Sequence, residues 1–469
     1  MADQNLALWE NYGKNVLMMV PYFDTIIVKT EGLYYFDANN RKILDFNGGA
    51  VCSLLGHNHP KLSQRLKQQL DVAIHTGVAY LSLAFMEAAK KLSEILPGNL
   101  DRVALFSTGA EANEIAIKMA KVYTQRTGVM GFDQGHLGAT HLLNQIGSFN
   151  RGKASAQPLI GDIHTVMTPD CAHCPVKSKY PQCDFLCLKK STKKLGRRLK
   201  NIAAMLVEPI LPNAGVVVPP PGYFKALKSV LDKYGILLIV DEAKTAFGRT
   251  GKWFAIEHHD VTPDILVCSK TAGGGYPVSI VAAHAQVEDT IIAHKFHHVT
   301  SHMNDPLGAE AISAVIDIVR EENLLQNAEE QGNYLLASLK NVQAEYPQII
   351  GDIRGQALMV GIEIKCFDNE GAHQLGYRLA YCLIEDGLNV NWFSSNVLIM
   401  EPPLTITRAD IDSGIQILRN AIQKVMNDKN KNKAIFKKNA KSRHFAEMLM
   451  KKPDFKTRVL TKLGFKHTL

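Results

Sequence analysis

The stretch Leu237-Leu238-Ile239-Val240-Asp241-Glu242-Ala243 is an apolar run that ends in two carboxylates. A short, fully apolar run between helical patterns is typical of a strand buried on both faces of a parallel sheet. Asp241 would then lie at the carboxyl edge of that sheet, where open α/β folds bind their ligands. The next apolar run, residues 265–267, is followed by Lys270, which we expect in the same crevice.

Lys270 precedes three glycines at residues 273–275, which allow the backbone to approach a ligand closely. A desolvated lysine is a good nucleophile toward a carbonyl group, and a buried aspartate can keep a pyridine nitrogen protonated. Lys270 and Asp241 are therefore candidate catalytic residues. On these residues alone, a surface lysine and an aspartate that caps a helix remain the alternative.

A second motif, Leu105-Phe106-Ser107-Thr108-Gly109-Ala110-Glu111, joins a short strand to a helix through a small, hydroxyl-rich turn. The first N–H groups of such a helix, with the positive end of its dipole, form a binding site for a phosphate. A plain capped turn between strand and helix is the alternative. A third acid, Glu208, follows the apolar strand predicted at residues 203–207, and by itself it is a weak signal.

The order of predicted elements indicates the α/β fold class. Between residues 60 and 300, helical patterns alternate with short apolar strands, which predicts βαβ units around a mostly parallel sheet. A small β-meander is predicted at residues 25–46, and mixed α and β patterns follow a helix at Pro306–Glu321. The length of 469 residues predicts about three domains, and two large ones would also fit.

The composition, with 46% hydrophobic and 21% charged residues, is that of a folded globular protein and excludes wholesale disorder. The net charge of +8 is concentrated in residues 428–469, which hold 13 Lys/Arg and 3 Asp/Glu. The preceding residues hold 40 basic and 42 acidic groups, so we expect no nucleic-acid partner for them. The basic tail could bind an acidic partner or an anionic surface, or dock on the protein itself.

The longest apolar runs are too short to span a bilayer, and residues 1–4 do not resemble a secretory signal, so we expect a cytoplasmic protein. Its eight cysteines are then expected to stay reduced. Four of them lie close together, at Cys171, Cys174, Cys183 and Cys187. Their spacing permits a tetrahedral zinc site, but we assign no metal ligand from the sequence.

In combination, the motifs resemble those of the class III (subgroup II) aminotransferases, a pyridoxal 5'-phosphate-dependent family with fold type I. The resemblance covers residues 10–425, and residues 301–307 are most similar to the dialkylglycine decarboxylase-like branch. The matching pieces follow the order of the family and occupy residues 56–60, 107–114, 208–209, 241–251, 263–265, 269–270, 275–277, 304–307 and 401–405.

The resemblance implies a large domain around the mostly parallel sheet, at residues 61–325, that binds the cofactor. It implies a smaller α/β domain built from both chain ends, at residues 1–60 and 326–427, followed by the basic tail at residues 428–469. It also implies a cytoplasmic homodimer whose active site lies at the subunit interface.

The implied reaction moves an amino group from an amine or amino acid donor to an oxo acceptor. A decarboxylase, an epimerase or a lyase with the same cofactor remains an alternative, because the outcome depends on which bond of the substrate α-carbon is perpendicular to the cofactor ring. A catalytically inactive binding protein of the same fold is a further alternative. The presence of Lys270, Asp241 and the phosphate-binding turn argues against it.

Individual roles follow from the same resemblance. Lys270 would form the Schiff base with the cofactor aldehyde and move a proton between the substrate α-carbon and the cofactor. Asp241 would pair with the pyridinium nitrogen. Thr108, Gly109 and Ala110 would bind the phosphate.

The resemblance also implies residues around these groups. Ser301 stands where the family usually has a threonine that reaches the phosphate in the neighbouring subunit, and Thr300 beside it is a substitute candidate. Glu208 would lie near the cofactor or the substrate. His136 would lie on the face of the cofactor ring, where the family has an aromatic residue, and Leu137 takes the place of the usual histidine.

Three further positions depart from the family. Lys244 replaces a glutamine that contacts the 3'-oxygen of the cofactor. Ile399 stands where an arginine commonly clamps the substrate α-carboxylate, so either another base holds this group or the substrate lacks it. Ala50 replaces a glutamine of the decarboxylase branch, which counts against dialkylglycine decarboxylation.

Overall fold

The computed structural model of the protein describes residues 3–17, 19–20, 22–23, 25–147, 161–368, 370–392 and 396–428. The predicted basic tail, residues 428–469, lies outside the described residues apart from Asp428. Within the described part, no helix combines the length and the apolar character needed to cross a membrane.

The strands of the described part form three sheets. They are β1 (Ile27–Glu31), β2 (Tyr34–Asp37), β3 (Lys42–Asp45), β4 (Arg102–Phe106), β5 (Gly128–Phe132), β6 (Ile163–Val166), β7 (Ile202–Val207), β8 (Leu237–Asp241), β9 (Ile265–Cys268), β10 (Ser279–Ala283), β11 (Ile350–Gln356), β12 (Met359–Ile364), β13 (Leu388–Asn389) and β14 (Val397–Met400).

The helices pack around these sheets. They are α1 (Gln4–Tyr12), α2 (Pro60–Val72), α3 (Leu83–Ser93), α4 (Gly109–Thr124), α5 (Leu143–Ile146), α6 (Leu186–Leu195), α7 (Tyr223–Tyr234), α8 (Ala285–Ala293), α9 (Pro306–Glu321), α10 (Leu324–Glu345), α11 (Ala372–Glu385) and α12 (Arg408–Asn427).

The largest sheet has the strand order β4-β10-β9-β8-β7-β5-β6, and every strand except β10 runs in the same direction. Strands β5, β7, β8 and β9 are buried along their whole length, as expected where helices cover both faces of a parallel sheet. The prediction of a mostly parallel central sheet is confirmed.

The two smaller sheets have the orders β1-β2-β3-β13 and β11-β12-β14. In the first, β13 pairs in parallel with β3, so that Leu388 lies opposite Leu44. Strands from the two ends of the chain therefore share one sheet. The domain boundaries given above stay predictions.

Local sequence accounts for the ends of the helices that frame the central sheet. Thr108 caps α4, because its Oγ1 accepts a hydrogen bond from the N–H of Glu111 at 3.2 Å. Pro306 begins α9, where the missing N–H of proline costs nothing. Gly235 ends α7 with a φ of +61°, a left-handed conformation that favours glycine.

Candidate active site

Asp241 is the last residue of β8 and is 4% exposed. Its Oδ2 accepts a hydrogen bond from Asn113 Nδ2 at 2.7 Å, and its Oδ1 accepts one from the N–H of Ala243 at 2.9 Å. Burial raises the pKa of the Asp241 carboxyl, against the opposing effects of the Lys270 charge and of both hydrogen bonds. The two donors orient the carboxyl group and leave it able to accept a further hydrogen bond.

Glu208 directly follows β7, and its Oε2 accepts a hydrogen bond from the backbone N–H of His136 at 2.8 Å. Burial, with the neighbouring charge of Asp241, raises the pKa of Glu208 to about 8. Burial, with the charges of Lys270 and Lys244, lowers the pKa of His136 to about 4. At neutral pH the imidazole is therefore uncharged, and Glu208 mostly retains its proton.

The N-terminus of α4 faces the same region. Gly109 and Ala110 form its first turn, in which backbone N–H groups have no acceptor within the helix and suit an anion. A Cβ atom on Gly109 would lie 2.4 Å from Ser269 Oγ, so glycine permits α4 to approach the residue before Lys270. This close approach places the N-terminus of α4 beside Lys270.

Lys270 follows β9 with a φ of +30°, a strained conformation for a residue with a side chain. Such a conformation costs about 1–3 kcal/mol and persists where the surrounding structure enforces it. Burial raises the pKa values of Asp241 and Glu208, and the Lys270 charge opposes this effect. Burial lowers the pKa of His136, and the Lys270 charge lowers it further. Lys270 lines one small cavity together with all three of these residues.

Most of these groups line one cavity of about 360 Å³. It is lined by the predicted residues Thr108, Gly109, Ala110, His136, Asp241 and Lys270, and also by Cys52, Asn113 and Tyr276, to which the motifs assign no role. A small adjoining cavity is lined by Glu208 and Lys244. The structure thus brings together every predicted site residue except Thr300 and Ser301.

The chemistry of this cavity fits pyridoxal phosphate. The first turn of α4 offers N–H donors to a phosphate, and the buried carboxyl group of Asp241 can accept a hydrogen bond from a protonated ring nitrogen. The amine of Lys270 can react with an aldehyde. These three groups line a single cavity, so one molecule can contact all of them.

Asn113 is a site residue that the motifs leave without a role. Its Nδ2 donates both to Asp241 and to the carbonyl oxygen of Leu137, at 2.8 Å for the latter. It therefore connects the carboxylate to the segment that carries His136. Asn113 lies four residues after Gly109 on α4, and this helical spacing could have placed both on the face toward the site.

Thr300 and Ser301 lie before α9 and outside both cavities. Asn304 anchors this segment to the sheet, because its Oδ1 accepts from the N–H of Leu105 at 2.8 Å and its own N–H donates to the Leu105 carbonyl at 3.0 Å. Ser301 is exposed and Thr300 is half-buried. A single chain therefore does not bring these two hydroxyl groups to its own cavity.

Lys244 belongs to a polar cluster that the motifs do not predict. Its Nζ lies 3.4 and 3.3 Å from Oε1 and Oε2 of Glu401 and 3.4 Å from Asn213 Oδ1. Glu401 follows β14 and is 0% exposed. Because the three residues are far apart in the sequence, no local spacing indicates that they meet.

Ile399 lies in β14 and is 2% exposed. It belongs to a buried apolar cluster that also contains Ile210, Val216, Met359 and Val397. The position where the family commonly has an arginine is therefore part of an apolar region. Ala50, the other departure, is exposed and lines neither cavity.

The four clustered cysteines line a separate cavity of about 20 Å³, and all eight cysteines of the chain are free. Burial and the neighbouring thiols raise the pKa of Cys171 to about 11. In the described ranges, the only group of three or more potential metal ligands whose donor atoms lie within 4.8 Å of one another is His75, His302 and Asp305. The cysteine sulphurs form no such group, so we assign no zinc site to them.

Comparison with known proteins identifies the family. Residues 18–422 match the family described as aminotransferase class-III. The chain belongs to this family. Its fold is therefore that of the pyridoxal-phosphate-dependent transferases of fold type I, and the predictions of family, fold, cofactor and aminotransferase function are confirmed.

Individual members of the family are similar over most of their length. This class III aminotransferase is 34% identical to a leucine/methionine racemase of Thermococcus litoralis. The match extends over 411 residues and covers 87% of this chain and 92% of the relative. It is 30% identical to an acetylornithine aminotransferase of Methanopyrus kandleri, over 86% of this chain and 95% of the relative. A solved (S)-enantioselective omega-transaminase from Thermomicrobium roseum has a TM-score of 0.79 at 29% identity, over 86% and 93% of the two chains.

Proposed function

We propose that Lys270 binds pyridoxal phosphate covalently and that the enzyme moves an amino group from an amine or amino acid donor to an oxo acceptor. When bound, the cofactor supplies an electron sink for the negative charge that develops at the substrate α-carbon. The observation that carries this proposal is the meeting of Lys270, Asp241 and the N-terminus of α4 in one cavity.

The roles proposed for the binding residues follow from their surroundings. Asp241 accepts a hydrogen bond from the ring nitrogen and keeps it protonated, because Asn113 and the N–H of Ala243 already fix its orientation. Gly109 and Ala110 donate backbone N–H groups to the phosphate. Thr108 caps α4 and thereby orders the turn that carries these donors. Each contact uses a group that the fold holds in place before any ligand arrives.

Lys270 is proposed as the base that takes the proton from the substrate α-carbon and later returns it. Proton transfer by a positioned side chain contributes about 10²–10⁴-fold to the rate. His136 offers an uncharged imidazole to the ring face, and its backbone N–H is held by Glu208. We place Glu208 and Lys244 beside the cofactor as well, because both line the adjoining cavity.

We further propose a homodimer, in which Thr300 and Ser301 reach the site of the neighbouring subunit. Large apolar side chains are strongly exposed in three segments, which lie after α1, from the end of α2 to the start of α3, and before α9: Leu17, Met19, Val72, Ile74, Tyr80, Leu81, Leu83 and Val299. His75 Nδ1 lies 2.5 Å from Asp305 Oδ1, so the second and third of these segments are neighbours. Exposed apolar surface of this kind marks an interface.

Two broader proposals rest on composition. The eight free cysteines support a reducing, cytoplasmic setting. The excess of positive charge in residues 428–469 supports an acidic partner or an anionic surface as the target of the tail.

Covalent attachment to Lys270 tests the proposed role directly. The purified protein should be yellow, and borohydride reduction should add a phosphopyridoxyl group, which is the mass of the cofactor less one oxygen atom, to the peptide that contains Lys270. Lys270→Ala should abolish this attachment and lower the transamination rate at least about 100-fold. Lys340→Ala, which changes an exposed lysine of α10, is the matched control and should change neither. A colourless wild-type protein that takes up no added cofactor would contradict the proposal.

An epimerase on the same site is the second candidate, favoured by the 34% identity to a leucine/methionine racemase. Single enantiomers of amino acids, incubated in D₂O without an oxo acceptor, separate the two functions. An epimerase would incorporate deuterium and invert the α-carbon without forming an oxo acid. An aminotransferase would form the oxo acid once and then stop until an acceptor is added.

A further inference from the structure

Two histidines share one carboxylate beside the candidate active site. His75 Nδ1 lies 2.5 Å from Oδ1 of Asp305, and His302 Nδ1 lies 2.6 Å from Oδ2. The two imidazole rings also contact each other, with their centroids 5.2 Å apart. Potential ligand atoms of the three residues all lie within 4.8 Å of one another. The cluster therefore offers two nitrogens and one oxygen to one small volume.

The backbone around Asp305 fixes the place of its carboxylate. Asp305 is the N-cap residue of α9, and Pro306 follows it at the first helical position. An aspartate at the N-cap usually accepts a hydrogen bond from the first turn of its helix. Within the described residues the Asp305 side chain accepts none from α9, and both of its oxygens contact imidazoles instead. The fold of the chain therefore directs this carboxylate toward the two histidines.

The three ligand groups determine which ion fits. With both imidazoles neutral, as metal binding requires, the cluster carries a single negative charge and favours a cation. Imidazole nitrogen suits zinc, copper and nickel, whereas magnesium and calcium prefer a set of oxygen ligands. Zinc is held at about 2.0–2.1 Å by histidine nitrogen and at about 2.0–2.2 Å by carboxylate oxygen. The cluster therefore matches a divalent ion of the zinc class.

A small movement separates the present contacts from metal coordination. Two ligands of a tetrahedral zinc ion lie about 3.3 Å apart, so each imidazole has to withdraw from the carboxylate by about 0.8 Å. The side chains of His75 and His302 are 43% and 66% exposed, which leaves their rings room to move. The ion would take the place of the protons that now lie between the imidazoles and the carboxylate.

We propose that His75, His302 and Asp305 bind a divalent transition-metal ion such as Zn²⁺, and that this ion connects the segment before α9 to the segment after α2. Three protein ligands leave one position of a tetrahedral ion open to water. His75 precedes Asp305 by 230 residues, so the ion joins two segments that are distant in the sequence. Binding of the ion does not depend on the reaction at Lys270.

The position of the cluster gives the ion a consequence for the active site. Burial, with the charge of Asp305, raises the pKa of Tyr276, and Tyr276 lines the cavity of about 360 Å³. The cluster therefore lies beside the wall of that cavity. Ser301, which we propose to reach the neighbouring subunit, directly precedes His302. The ion thus orders the segment that carries this hydroxyl group; this consequence rests on the proposed homodimer, whereas the binding of the ion does not.

Calorimetric titration with Zn²⁺ tests the site. The holoenzyme, free of any polyhistidine tag and of bound metal, should bind one Zn²⁺ per chain at this cluster. His75→Gln, His302→Gln and Asp305→Asn each remove one ligand and should weaken this binding at least about 10-fold, because even a group that only orients a metal ligand contributes about 10–100-fold to affinity. His294→Gln, which changes an exposed histidine that follows α8, is the matched control and should bind Zn²⁺ as the wild type does. Equal affinity in all these proteins would overturn the site.

The clustered cysteines are the competing ligands, and X-ray absorption distinguishes them. At one Zn²⁺ per chain, the nearest shell should consist of nitrogen and oxygen at about 2.0–2.1 Å. A shell of sulphur at about 2.3 Å would place the ion on the cysteines and overturn the site at His75, His302 and Asp305. Excess K⁺ or Mg²⁺ should not displace the Zn²⁺, because both of these ions take oxygen ligands. Displacement by either ion would overturn the proposed class of metal.

Hydrogen exchange measures the proposed connection between the two segments. Zn²⁺ should slow amide exchange at residues 299–305 at least about 5-fold in the wild type and leave it unchanged in the double variant His75→Gln/His302→Gln. Exchange in α12, which packs on α10 and α11, is the internal control and should not change. Zn²⁺ that binds without slowing exchange at residues 299–305 would overturn the connection. An enzyme that binds Zn²⁺ as described but transfers no amino group would confirm the metal site and overturn the function proposed for Lys270.

Discussion

Glu208 shows how the fold changes the chemistry of a single residue at the site. Burial, with the charge of Asp241, raises its pKa from an ordinary value of 4.5 to about 8. Between these two values the folded chain binds one more proton than the unfolded chain. The stability that Glu208 contributes is therefore lost as the pH rises through this window.

Glu208→Gln should flatten this pH dependence, because glutamine keeps an acceptor for the N–H of His136 but has no proton to lose. Between about pH 5 and 7.5, the free energy of unfolding of the wild-type apoenzyme should fall more steeply than that of the variant, by about 1.4 kcal/mol per pH unit. Urea unfolding at several pH values measures both slopes. Glu242, whose pKa burial raises to about 7, acts in the same direction in both proteins and cancels in the comparison. Parallel slopes would show that Glu208 is ionised in the folded chain.

Ile399→Arg should restore a clamp for the substrate carboxylate. The new guanidinium would form a bidentate pair, and the KM for simple 2-oxo acids should fall at least about 10-fold. The buried apolar surroundings of Ile399 should make the variant less stable, by about 2–4 kcal/mol. Steady-state kinetics and urea unfolding check the two effects. Ile399→Met, an uncharged control, should leave the KM unchanged, and an unchanged KM in Ile399→Arg would mean that the carboxylate is held elsewhere.

At the scale of elements, the site is made by the ends of strands and one helix. Asp241 ends β8, Glu208 follows β7, Lys270 follows β9 and Thr108 caps α4. Parallel strands deliver their carboxyl ends to a single edge, so residues from separate segments meet without any long loop. The strand ends of the central sheet therefore set the positions of these residues.

Thr108→Ala should weaken both the helix and the phosphate site. The variant loses the cap on the N–H of Glu111, which should cost about 1 kcal/mol in the free energy of unfolding of the apoenzyme. The less ordered first turn of α4 should also bind the cofactor less tightly. Unfolding by urea and titration with pyridoxal phosphate measure the two effects. Thr108→Ser keeps the hydroxyl and should behave as the wild type does; a similar loss in this control would rule out the cap as the cause.

The sequence could predict those parts of the fold and site that depend on local pattern. Apolar runs and helical periodicity indicated β7, β8, β9 and α4, because burial in a parallel sheet requires such runs. The contact of Lys244 with Glu401 was not predicted, because it depends on how β14 packs beside the turn after β8. The role of Asn113 was missed because the motifs assign it none, although its spacing of four residues from Gly109 could have placed it on the face of α4 toward the site.

At the scale of the whole molecule, the described residues up to Asp428 supply every cavity-lining group discussed above. Deleting residues 429–469 should therefore leave the half-reaction with donor and the mass of the dimer unchanged. Binding to a cation-exchange resin or to anionic vesicles should weaken sharply, because most of the excess positive charge is removed. Light scattering, cofactor absorbance and a vesicle sedimentation assay test these outcomes. A monomeric or inactive truncation would show instead that the tail docks on the enzyme.

The parallel pair of β13 and β3 has a consequence for the order of events during synthesis. Asn389 Nδ2 donates to Asp45 Oδ1 across a separation of 344 residues, so β3 waits for a partner strand that is translated 344 residues later. At about 5–20 residues per second, this wait is roughly 17–70 s. The strands of the large sheet are all complete well before β13 emerges from the ribosome. Until then, β3 carries an unpaired edge, which offers its free backbone N–H and C=O groups to strands of other chains.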